Sequence, residues 1–287
     1  MDEPTPPRIR GRTRLAGVIG WPVDGSLSPV IHNAAFEALG LDWAYMPLAV
    51  PPGRVREAVA GLRALGFAGA NVTMPHKTEV ARAVDVLTED ARLLDAANTI
   101  TMGADVIEGA NTDAPGFERF LRLDAGFDPG GRRALVFGAG GAARACALAL
   151  GRAGLAELVV AVREPERGVA LTRLFRELPT DVRVVPIADA TSERADLVVN
   201  ATPLGGAGES LPHPPLGQGV LVVDLLYRPA LTPLLASARE AGAVAFGGLG
   251  LLLHQAALSF ELWTGQEPPM PVMSAAALAE LTDSPGG

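Results

Sequence analysis

The sequence predicts an α/β protein of two domains in which strands and helices alternate. Its 287 residues exceed the usual size of one domain. Short apolar runs of strand length alternate with longer segments of helical periodicity, and Gly or Pro ends most of them. In the second half the strands are continuous apolar runs, which is typical of parallel strands covered on both faces. These three observations favour a layered α/β architecture in both halves.

Composition narrows the class of protein. Hydrophobic residues make up 48% of the chain and charged residues 20%, which excludes a mainly disordered or collagen-like protein. The net charge of −8 argues against nucleic-acid binding. The one cysteine, Cys146, excludes a disulfide framework or a thiolate metal site within the chain. The chain has no run of about 18 apolar residues that would predict a membrane span. Its N-terminal residues have no apolar core of the kind found in a signal peptide. A cytoplasmic location is therefore expected.

The first predicted domain covers residues 1–113, and a C-terminal segment, 249–287, returns to it. Residues 1–13 are expected to form a frayed tail. Pro29 favours the first turn of a helix, and Gly40 favours its end. In chain order the predicted elements are a strand at 15–19, a helix at 29–39, a strand at 45–50, a helix at 55–65, a strand at 69–74, a helix at 78–94 and a hairpin of 98–102 with 106–109.

The second predicted domain covers residues 114–248. It begins with a helix at 114–123, and an apolar strand at 133–137 leads directly into a glycine-rich turn. The remaining elements are predicted to be a helix to residue 150, a strand at 158–162, a helix at 166–177 and strands at 182–186, 197–201 and 220–225. A Gly-rich turn and an apolar helix are predicted within 247–263, and a last short helix at 275–281.

The glycine-rich turn has the pattern of a dinucleotide-binding site. It reads Gly138-Ala139-Gly140-Gly141-Ala142 and lies between a strand and a helix, as in Rossmann-like domains. Gly138 would permit the tight turn, and Gly140 and Gly141 would let the backbone approach a pyrophosphate. The N-terminus of the following helix would offer N–H groups and a positive dipole to that anion. The second domain is therefore predicted to be a Rossmann-like parallel sheet, with a plain tight turn as the alternative explanation of the glycines.

The residues after the next strand bear on the choice of nucleotide. Arginine there favours the 2′-phosphate of NADP, whereas an acidic residue favours the ribose hydroxyl of NAD. Arg163 and Arg167 favour NADP. Glu164 lies between them and would repel a phosphate, so NAD stays open as an alternative. A solvated charged loop would have the same composition.

Lys77 is the single lysine of the chain, because 23 of the 24 basic residues are Arg. Lysine can lose its proton in suitable surroundings but arginine cannot, so Lys77 is a candidate for proton transfer. Polar residues accompany it at predicted strand and helix ends, where ligand sites often form. Each of them could equally be a cap or turn residue. They are Ser26, Ser28, Asn71, Thr73, Asn98, Thr99, Asn111, Thr112 and Asp113.

Eight segments of the chain resemble the shikimate dehydrogenase family and occur in that family's order. NVTMPHK together with the later NTD is the most specific part of the pattern. The resemblance covers nearly the whole chain. By it, the sequence is identified as a member of that family. The segments are GWPVDGSLSPVIHNAAF at 20–36, GANVTMPHK at 69–77, AANTI at 96–100, GANTDAPGF at 109–117, VFGAGGAARA at 136–145, NATPLG at 200–205, VVDLLYRP at 222–229 and GGLGLLLHQAALSFELWTG at 247–265.

The resemblance implies an activity and assigns roles to particular residues. The family reversibly reduces 3-dehydroshikimate to shikimate with NADPH, a step of aromatic amino-acid biosynthesis, so an NADP-dependent oxidoreductase with a small-molecule substrate is expected. The implied catalytic pair is Lys77 and Asp113. The implied substrate residues are Ser26 and Ser28 for the carboxylate, Thr73, Asn98 and Gln255 for the ring hydroxyls, and Tyr227 over the ring. The implied cofactor residues are Gly138, Ala139, Gly140, Gly141, Ala142, Arg163, Arg167 and Thr202, with Leu225 and Gly248 on the nicotinamide side.

The implied reaction needs an acid beside the reacting carbonyl. Negative charge develops on the oxygen at C3 as a hydride reaches its carbon, and a positioned proton donor must neutralise it. The Lys77 ammonium would donate that proton in the reduction, and neutral Lys77 would take it back in the oxidation. Asp113 would orient Lys77 and the same hydroxyl. The reaction is expected in a cleft between the two domains, and no metal site is predicted.

Two departures from the family pattern leave alternatives open. Gly25 stands where the family often has His, and Val162-Arg163-Glu164 stands where it usually has Asn-Arg-Thr. A quinate, aminoshikimate or aminoquinate dehydrogenase using NAD or NADP is the nearest alternative. A methylene-tetrahydrofolate dehydrogenase would not explain the NTD and SLSP segments. A catalytically inactive relative would be expected to lack Lys77 or Asp113. Both a monomer and a homodimer are compatible with the sequence.

Overall fold

The computed structural model describes residues 9–176 and 178–283, apart from the side chains of Arg167 and Ala170. Most of the predicted N-terminal tail lies outside these residues. None of the described helices is long and apolar enough to cross a membrane.

The strands and helices alternate along most of the chain, as predicted. Two short 3-10 helices, at Arg173–Phe175 and Ile187–Ser192, complete the described structure. The strands are β1 (Arg14–Gly20), β2 (Trp43–Ala49), β3 (Gly69–Val72), β4 (Val86–Leu87), β5 (Thr99–Met102), β6 (Ile107–Ala110), β7 (Arg133–Phe137), β8 (Glu157–Val162), β9 (Asp181–Pro186), β10 (Leu197–Asn200), β11 (Leu221–Asp224) and β12 (Val244–Phe246). The helices are α1 (Ser28–Ala38), α2 (Val55–Ala64), α3 (Lys77–Ala81), α4 (Glu89–Leu94), α5 (Asp113–Leu123), α6 (Gly141–Arg152), α7 (Pro165–Thr172), α8 (Pro233–Glu240), α9 (Leu249–Thr264) and α10 (Met270–Asp283).

The chain divides into two compact units, each with its own sheet. The first unit combines residues up to Thr112 with those from Gln255 onward, and the second runs from Asp113 to His254. Each sheet has six strands, and helices pack on both. The predicted α/β fold class is therefore confirmed.

The sheet of the first unit is mixed and has the order β2-β1-β3-β5-β6-β4. Strand β1 is parallel to both β2 and β3, whereas β5 is antiparallel to β3 and β6. The polar residues that follow β1 and β3 therefore leave the sheet at the same edge, because parallel strands end on one side. That edge carries most of the predicted substrate residues of this unit.

The first unit packs a different kind of core on each face of its sheet. Successive strand residues point to opposite faces. Met46 and Leu48 belong to an aliphatic cluster that includes Val55 and Val59 of α2. On the other face Tyr45 stacks against His32 of α1, and an aromatic group surrounds them. Its further members are Phe36, Trp43, Phe260 and Trp263.

The predicted helix at 78–94 is wrong in its middle, where the chain forms β4 instead. The carboxylate of Asp85 accepts the N–H of Ile107 at 2.7 Å, and β4 then pairs with β6. Thr88 caps the next helix by accepting the N–H of Ala91. These side-chain bonds to the backbone compete with helical hydrogen bonds, so the segment divides into α3, β4 and α4.

The sheet of the second unit is entirely parallel and has the order β12-β11-β10-β7-β8-β9. This is the strand order of a Rossmann-like domain, in which the direction of winding reverses between the first and fourth strands. Ligands bind at the carboxyl ends of the strands beside that reversal, which here lies between β7 and β10. The predicted Rossmann-like sheet is confirmed, although α8 and β12 were not predicted.

Candidate active site

Ser26 and Ser28 lie where the loop after β1 becomes α1. Ser28 is the first helical residue and is buried, and its N–H donates to the Oγ of half-buried Ser26 at 3.3 Å. The N-cap position itself is Leu27, whose side chain makes no capping bond. Two hydroxyls therefore lie at a helix N-terminus, where the helix dipole favours an anion.

Thr73 and Lys77 follow β3, and both are half-buried. Lys77 begins α3, and its carbonyl accepts the N–H of Ala97 at 2.9 Å. That bond fixes the backbone of Lys77 next to the strand that begins after Asn98. The neighbouring His76 is buried, and its Nε2 contacts the carbonyl of Val50 at 2.7 Å, so this ring is engaged by the backbone.

Asn98 is the centre of a buried polar network in the first unit. Its Nδ2 donates to Thr112 Oγ1 at 2.9 Å and to Gln255 Oε1 at 3.3 Å. Its Oδ1 accepts the backbone N–H of Thr112 at 2.7 Å. One helical turn after Gln255, Ser259 Oγ contacts Thr99 Oγ1 at 2.8 Å. The structure thus brings together two predicted substrate residues, Asn98 and Gln255.

Three buried residues extend this network beyond the predicted site residues. The Tyr45 hydroxyl donates to Asn71 Oδ1 at 2.7 Å, and Asn71 Nδ2 donates to Ser259 Oγ at 2.9 Å. Sequence reasoning counted Asn71 only as one of a polar set. Ser259 could have been found from its spacing of four from Gln255, which places both on one helix face. Tyr45 carried no signal, because an aromatic residue is ordinary in a strand.

Asp113 and Tyr227 belong to the second unit. Asp113 begins α5 and is buried; in the chain it follows Thr112, which Asn98 holds. Tyr227 follows β11 and is half-buried, and burial raises the pKa of its phenol above the ordinary value. The roles of both residues toward the substrate stay predictions.

The glycine-rich turn joins β7 to α6. Gly138 has φ of 102°, in the region that favours glycine, and a Cβ there would lie 3.1 Å from the carbonyl oxygen of Ala201. Gly140 occupies the N-cap of α6, and no described atom lies within 4 Å of the place its Cβ would take. With no capping side chain, the first N–H groups of α6 suit an anion, which fits the pyrophosphate predicted for residues 138–142.

Arg163 and Glu164 follow β8, and both are exposed. Glu164 is the N-cap of α7, although its side chain makes no capping bond. Among the described residues Arg163 has no hydrogen-bond or ion-pair partner, so its guanidinium is not committed within the unit. The side chain of Arg167 lies outside the described residues, and its part in cofactor binding stays a prediction.

A buried carboxylate, Asp224, joins the loops that follow β10 and β11. It accepts hydrogen bonds from Asn200 Nδ2 at 3.0 Å, from the Leu226 N–H at 3.1 Å and from the Thr232 hydroxyl at 2.6 Å. Burial raises the pKa of Asp224, and these bonds oppose the rise. Asn200 Oδ1 in turn accepts the hydroxyl of Thr202 at 2.7 Å, so the predicted cofactor residue Thr202 is held in place. Sequence reasoning assigned no role to Asp224 or Thr232.

Leu225 and Gly248, both predicted on the nicotinamide side, lie in backbone contact. The Gly248 N–H donates to the carbonyl of Leu226 at 2.9 Å. A Cβ at Gly248 would lie 2.0 Å from the carbonyl oxygen of Leu225. No side chain fits at position 248 unless the backbone moves, which explains the need for glycine there.

The chain matches two family models at its two ends. Residues 18–100 match the model described as the shikimate dehydrogenase substrate binding domain. Residues 248–278 match the model described as the shikimate 5'-dehydrogenase C-terminal domain. The first match contains Ser26, Ser28 and the NVTMPHK segment, and the second contains Gly248 and Gln255.

Individual relatives are similar over almost the whole chain. A shikimate dehydrogenase (NADP(+)) from Rubrobacter xylanophilus is 48% identical over 281 residues, which are 96% of this chain and 99% of the relative. One of the same name from Geobacter metallireducens is 44% identical over 285 residues, 95% of this chain and 99% of the relative. The crystal structure of shikimate 5-dehydrogenase from Thermus thermophilus, in complex with NADP(H) and shikimate, is 37% identical with a TM-score of 0.82 and covers 93% of this chain and 99% of that one. The predicted family is confirmed: this chain belongs to the shikimate dehydrogenase family.

Proposed function

We propose that the protein is an NADP-dependent shikimate dehydrogenase, which interconverts 3-dehydroshikimate and shikimate. The observation that carries the proposal is the buried network of the first unit, in which Asn98 and Gln255 are hydrogen-bonded to each other. Fixed amides and hydroxyls suit a small ligand with several ring hydroxyls, since each hydroxyl both donates and accepts. The relatives named as shikimate dehydrogenases support the same substrate.

The substrate residues divide by the chemistry of the groups they would bind. Ser26 and Ser28 lie at the N-terminus of α1 and would bind the carboxylate, which the helix dipole also favours. Thr73, Asn98 and Gln255 would hydrogen-bond the ring hydroxyls. Tyr227 would lie over the ring.

Lys77 would carry the proton of the reaction. In the reduction its ammonium would donate to the carbonyl oxygen at C3 as negative charge develops there, and in the oxidation its neutral amine would take the proton from the C3 hydroxyl. Asp113 would be the second member of the catalytic pair and would orient the amine. The backbone bond between Lys77 and Ala97 restricts where this amine can reach.

The second unit has a place that fits a dinucleotide. NADPH, when bound, supplies the hydride that reaches C3. The uncapped N-terminus of α6 at Gly140 would hold the pyrophosphate, and exposed Arg163 would hold the 2′-phosphate. Thr202, Leu225 and Gly248 follow strand ends in the same unit and would line the nicotinamide side.

Two glycine substitutions should separate stability from cofactor binding. Gly248→Ala should destabilise the second unit, because overpacking against backbone typically costs about 1–3 kcal/mol. Gly140→Ala should leave stability unchanged, because φ there is −73° and the position is open. A methyl at Gly140 would instead meet the pyrophosphate and raise the KM for NADPH about tenfold, which corresponds to roughly 1.4 kcal/mol.

Thermal melting and initial rates at varied NADPH would measure both effects. A Gly25→Ala variant is the matched control, since no described atom lies within 4 Å of that Cβ either and no cofactor role is assigned to it. An unchanged KM for NADPH in Gly140→Ala would show that the pyrophosphate does not bind at this turn.

The activity itself is tested by following the nicotinamide absorbance with shikimate and with quinate, each with NADP and with NAD. Rapid turnover of shikimate with NADP is the expected result. Preference for NAD would make exposed Glu164 the deciding residue, and preference for quinate would assign the protein to the sister activity. The absence of turnover with all four pairs of substrate and cofactor would overturn the proposal. The cytoplasmic location and the choice between monomer and homodimer stay predictions.

A further inference from the structure

We propose that Asp224 is a positioning residue for NADPH, acting through Asn200 on Thr202. It turns the Thr202 hydroxyl into the protein and leaves the methyl group to contact the cofactor. The inference rests on the proposed function, because it concerns how the second unit would bind NADPH. Asp224 and Asn200 are the last residues of β11 and β10 and are Cα partners in that parallel pair, so their side chains leave the same face of the sheet.

Asp224 uses both of its carboxylate oxygens inside the protein, where it is fully buried. Its Oδ1 accepts from Asn200 Nδ2 at 3.0 Å and from the Leu226 N–H at 3.1 Å. Its Oδ2 accepts from the hydroxyl of Thr232 at 2.6 Å, and Thr232 caps α8. An ionised carboxylate can only accept hydrogen bonds. The NH2 group of Asn200, and not its oxygen, must therefore face Asp224.

The carboxylate thereby sets the orientation of the Asn200 amide. The amide Nδ2 donates to Asp224 and to the carbonyl of Leu204 at 2.9 Å, so the amide oxygen faces the other way. That oxygen accepts the N–H of Thr202 at 3.0 Å and the Thr202 hydroxyl at 2.7 Å. Asn200 is also fully buried, and an amide turned by half a rotation would bury mismatched donors and acceptors, which is costly. One orientation is therefore favoured.

The hydroxyl of Thr202 is engaged by the protein both as donor and as acceptor. Its proton is donated to Asn200 Oδ1, and its oxygen accepts the N–H of Leu204 at 3.2 Å. The methyl group lies beside the glycine-rich turn, since a Cβ at Gly138 would be 3.1 Å from that methyl carbon. Thr202 is half-buried, which leaves part of its side chain open to a ligand. The contact that it offers the cofactor is therefore apolar.

The same carboxylate fixes the loop that carries Leu225. The Leu225 N–H donates to the carbonyl of Asn200 at 2.9 Å, and the next N–H, that of Leu226, donates to Asp224. The carbonyl of Leu226 in turn accepts the N–H of Gly248 at 2.9 Å. One buried carboxylate and one buried amide thus hold the loops after β10 and β11 in register.

The test measures the affinity of the full-length protein for NADPH, as the Kd from nucleotide fluorescence and as the KM in the reaction. Asp224→Ala should raise both about tenfold, as loss of a hydrogen bond to a charged group does, and leave the KM for shikimate unchanged. Asp224→Asn should stay within about twofold of the wild type, because its amide oxygen can accept from Asn200 and Leu226 while its NH2 group faces Thr232. Added to Asn200→Ala, Asp224→Ala should change the Kd by less than about twofold, because coupled residues are not additive.

Thr202→Ser tests the orientation of the threonine without disturbing the buried groups. Serine keeps the hydroxyl and its bond to Asn200 but lacks the methyl group. The Kd for NADPH should rise about fourfold, which corresponds to the burial of one methyl-sized group. A threonine that used its hydroxyl to bind the cofactor would instead give a serine variant with the wild-type Kd.

Val198→Ala is the control for general destabilisation. Val198 lies two residues before Asn200 on β10, is fully buried and belongs to an apolar core cluster of the second unit. The substitution should lower the melting temperature, because it removes buried volume. It should leave the Kd for NADPH unchanged, because no hydrogen bond of Asp224 involves this side chain.

A wild-type Kd for NADPH in folded Asp224→Ala would overturn the positioning role, and so would a loss in Asp224→Asn or Val198→Ala as large as in Asp224→Ala. Where Asp224→Ala does not fold, Asp224→Asn and Thr202→Ser decide, and a wild-type Kd in Thr202→Ser overturns the proposed orientation. Those results leave the proposed function intact, because the wild type would still turn over shikimate with NADP. A wild type that neither binds NADPH nor turns over shikimate would overturn the proposed function, and the positioning role with it.

Discussion

Replacing Lys77 with alanine should lower kcat about 10³-fold, within the range typical of losing a general acid–base group. Shikimate should still bind, because Asn98 keeps its hydrogen bonds to Thr112 and Gln255. The measurement is steady-state kinetics in both directions together with calorimetric binding of shikimate. A Lys77→Ala variant with near-normal kcat would show that another group transfers the proton.

Two further variants identify what Lys77 contributes. Lys77→Arg keeps the positive charge but cannot release a proton near neutral pH, so oxidation of shikimate should stay slow. Arg82→Ala is the matched control, because it removes a basic residue five positions further on. Its ion pair with Asp95 is exposed, and such pairs contribute little to stability. Its kcat should equal that of the wild type.

Acidification should destabilise the protein by about 3 kcal/mol between pH 7 and pH 4 through His32 alone. Burial lowers the pKa of His32 to about 3, and neither ring nitrogen has a hydrogen-bond partner among the described residues. The unfolded chain takes up this proton below about pH 6.5, whereas the folded chain does so only near pH 3. The contribution is thus fully present above pH 6.5 and is lost as the pH falls from there toward 3.

A His32→Phe variant isolates this contribution, because it keeps an aromatic ring against Tyr45 and has no proton to bind. Urea unfolding at pH 7 and at pH 4 would give the loss of unfolding free energy in each protein. The loss should be about 3 kcal/mol smaller in the variant than in the wild type. Equal losses would show that His32 is protonated as readily in the folded state as in the unfolded one.

The sequence by itself determined those features that depend on neighbouring residues. The glycine-rich turn between a strand and a helix, the apolar parallel strands and the polar segments after β1 and β3 are local patterns. Each reflects a requirement of the adjoining backbone: positive φ at Gly138, burial on both faces of β7, a helix N-terminus beside Ser28. These patterns were sufficient for the fold class and the family.

Tertiary structure decided the features that join residues distant in the chain. The predicted helix at 78–94 failed because pairing of β4 with β6 and the bond from Ile107 to Asp85 outweigh local helix propensity. Position 248 requires glycine because a backbone 23 residues earlier occupies the place of its Cβ. Tyr45 reaches Asn71, and Asn71 reaches Ser259, only because three strands and a helix meet there. Hydrogen bonds and steric contacts act over a few ångströms of space whatever the separation in sequence, so only the folded chain shows which distant groups they join.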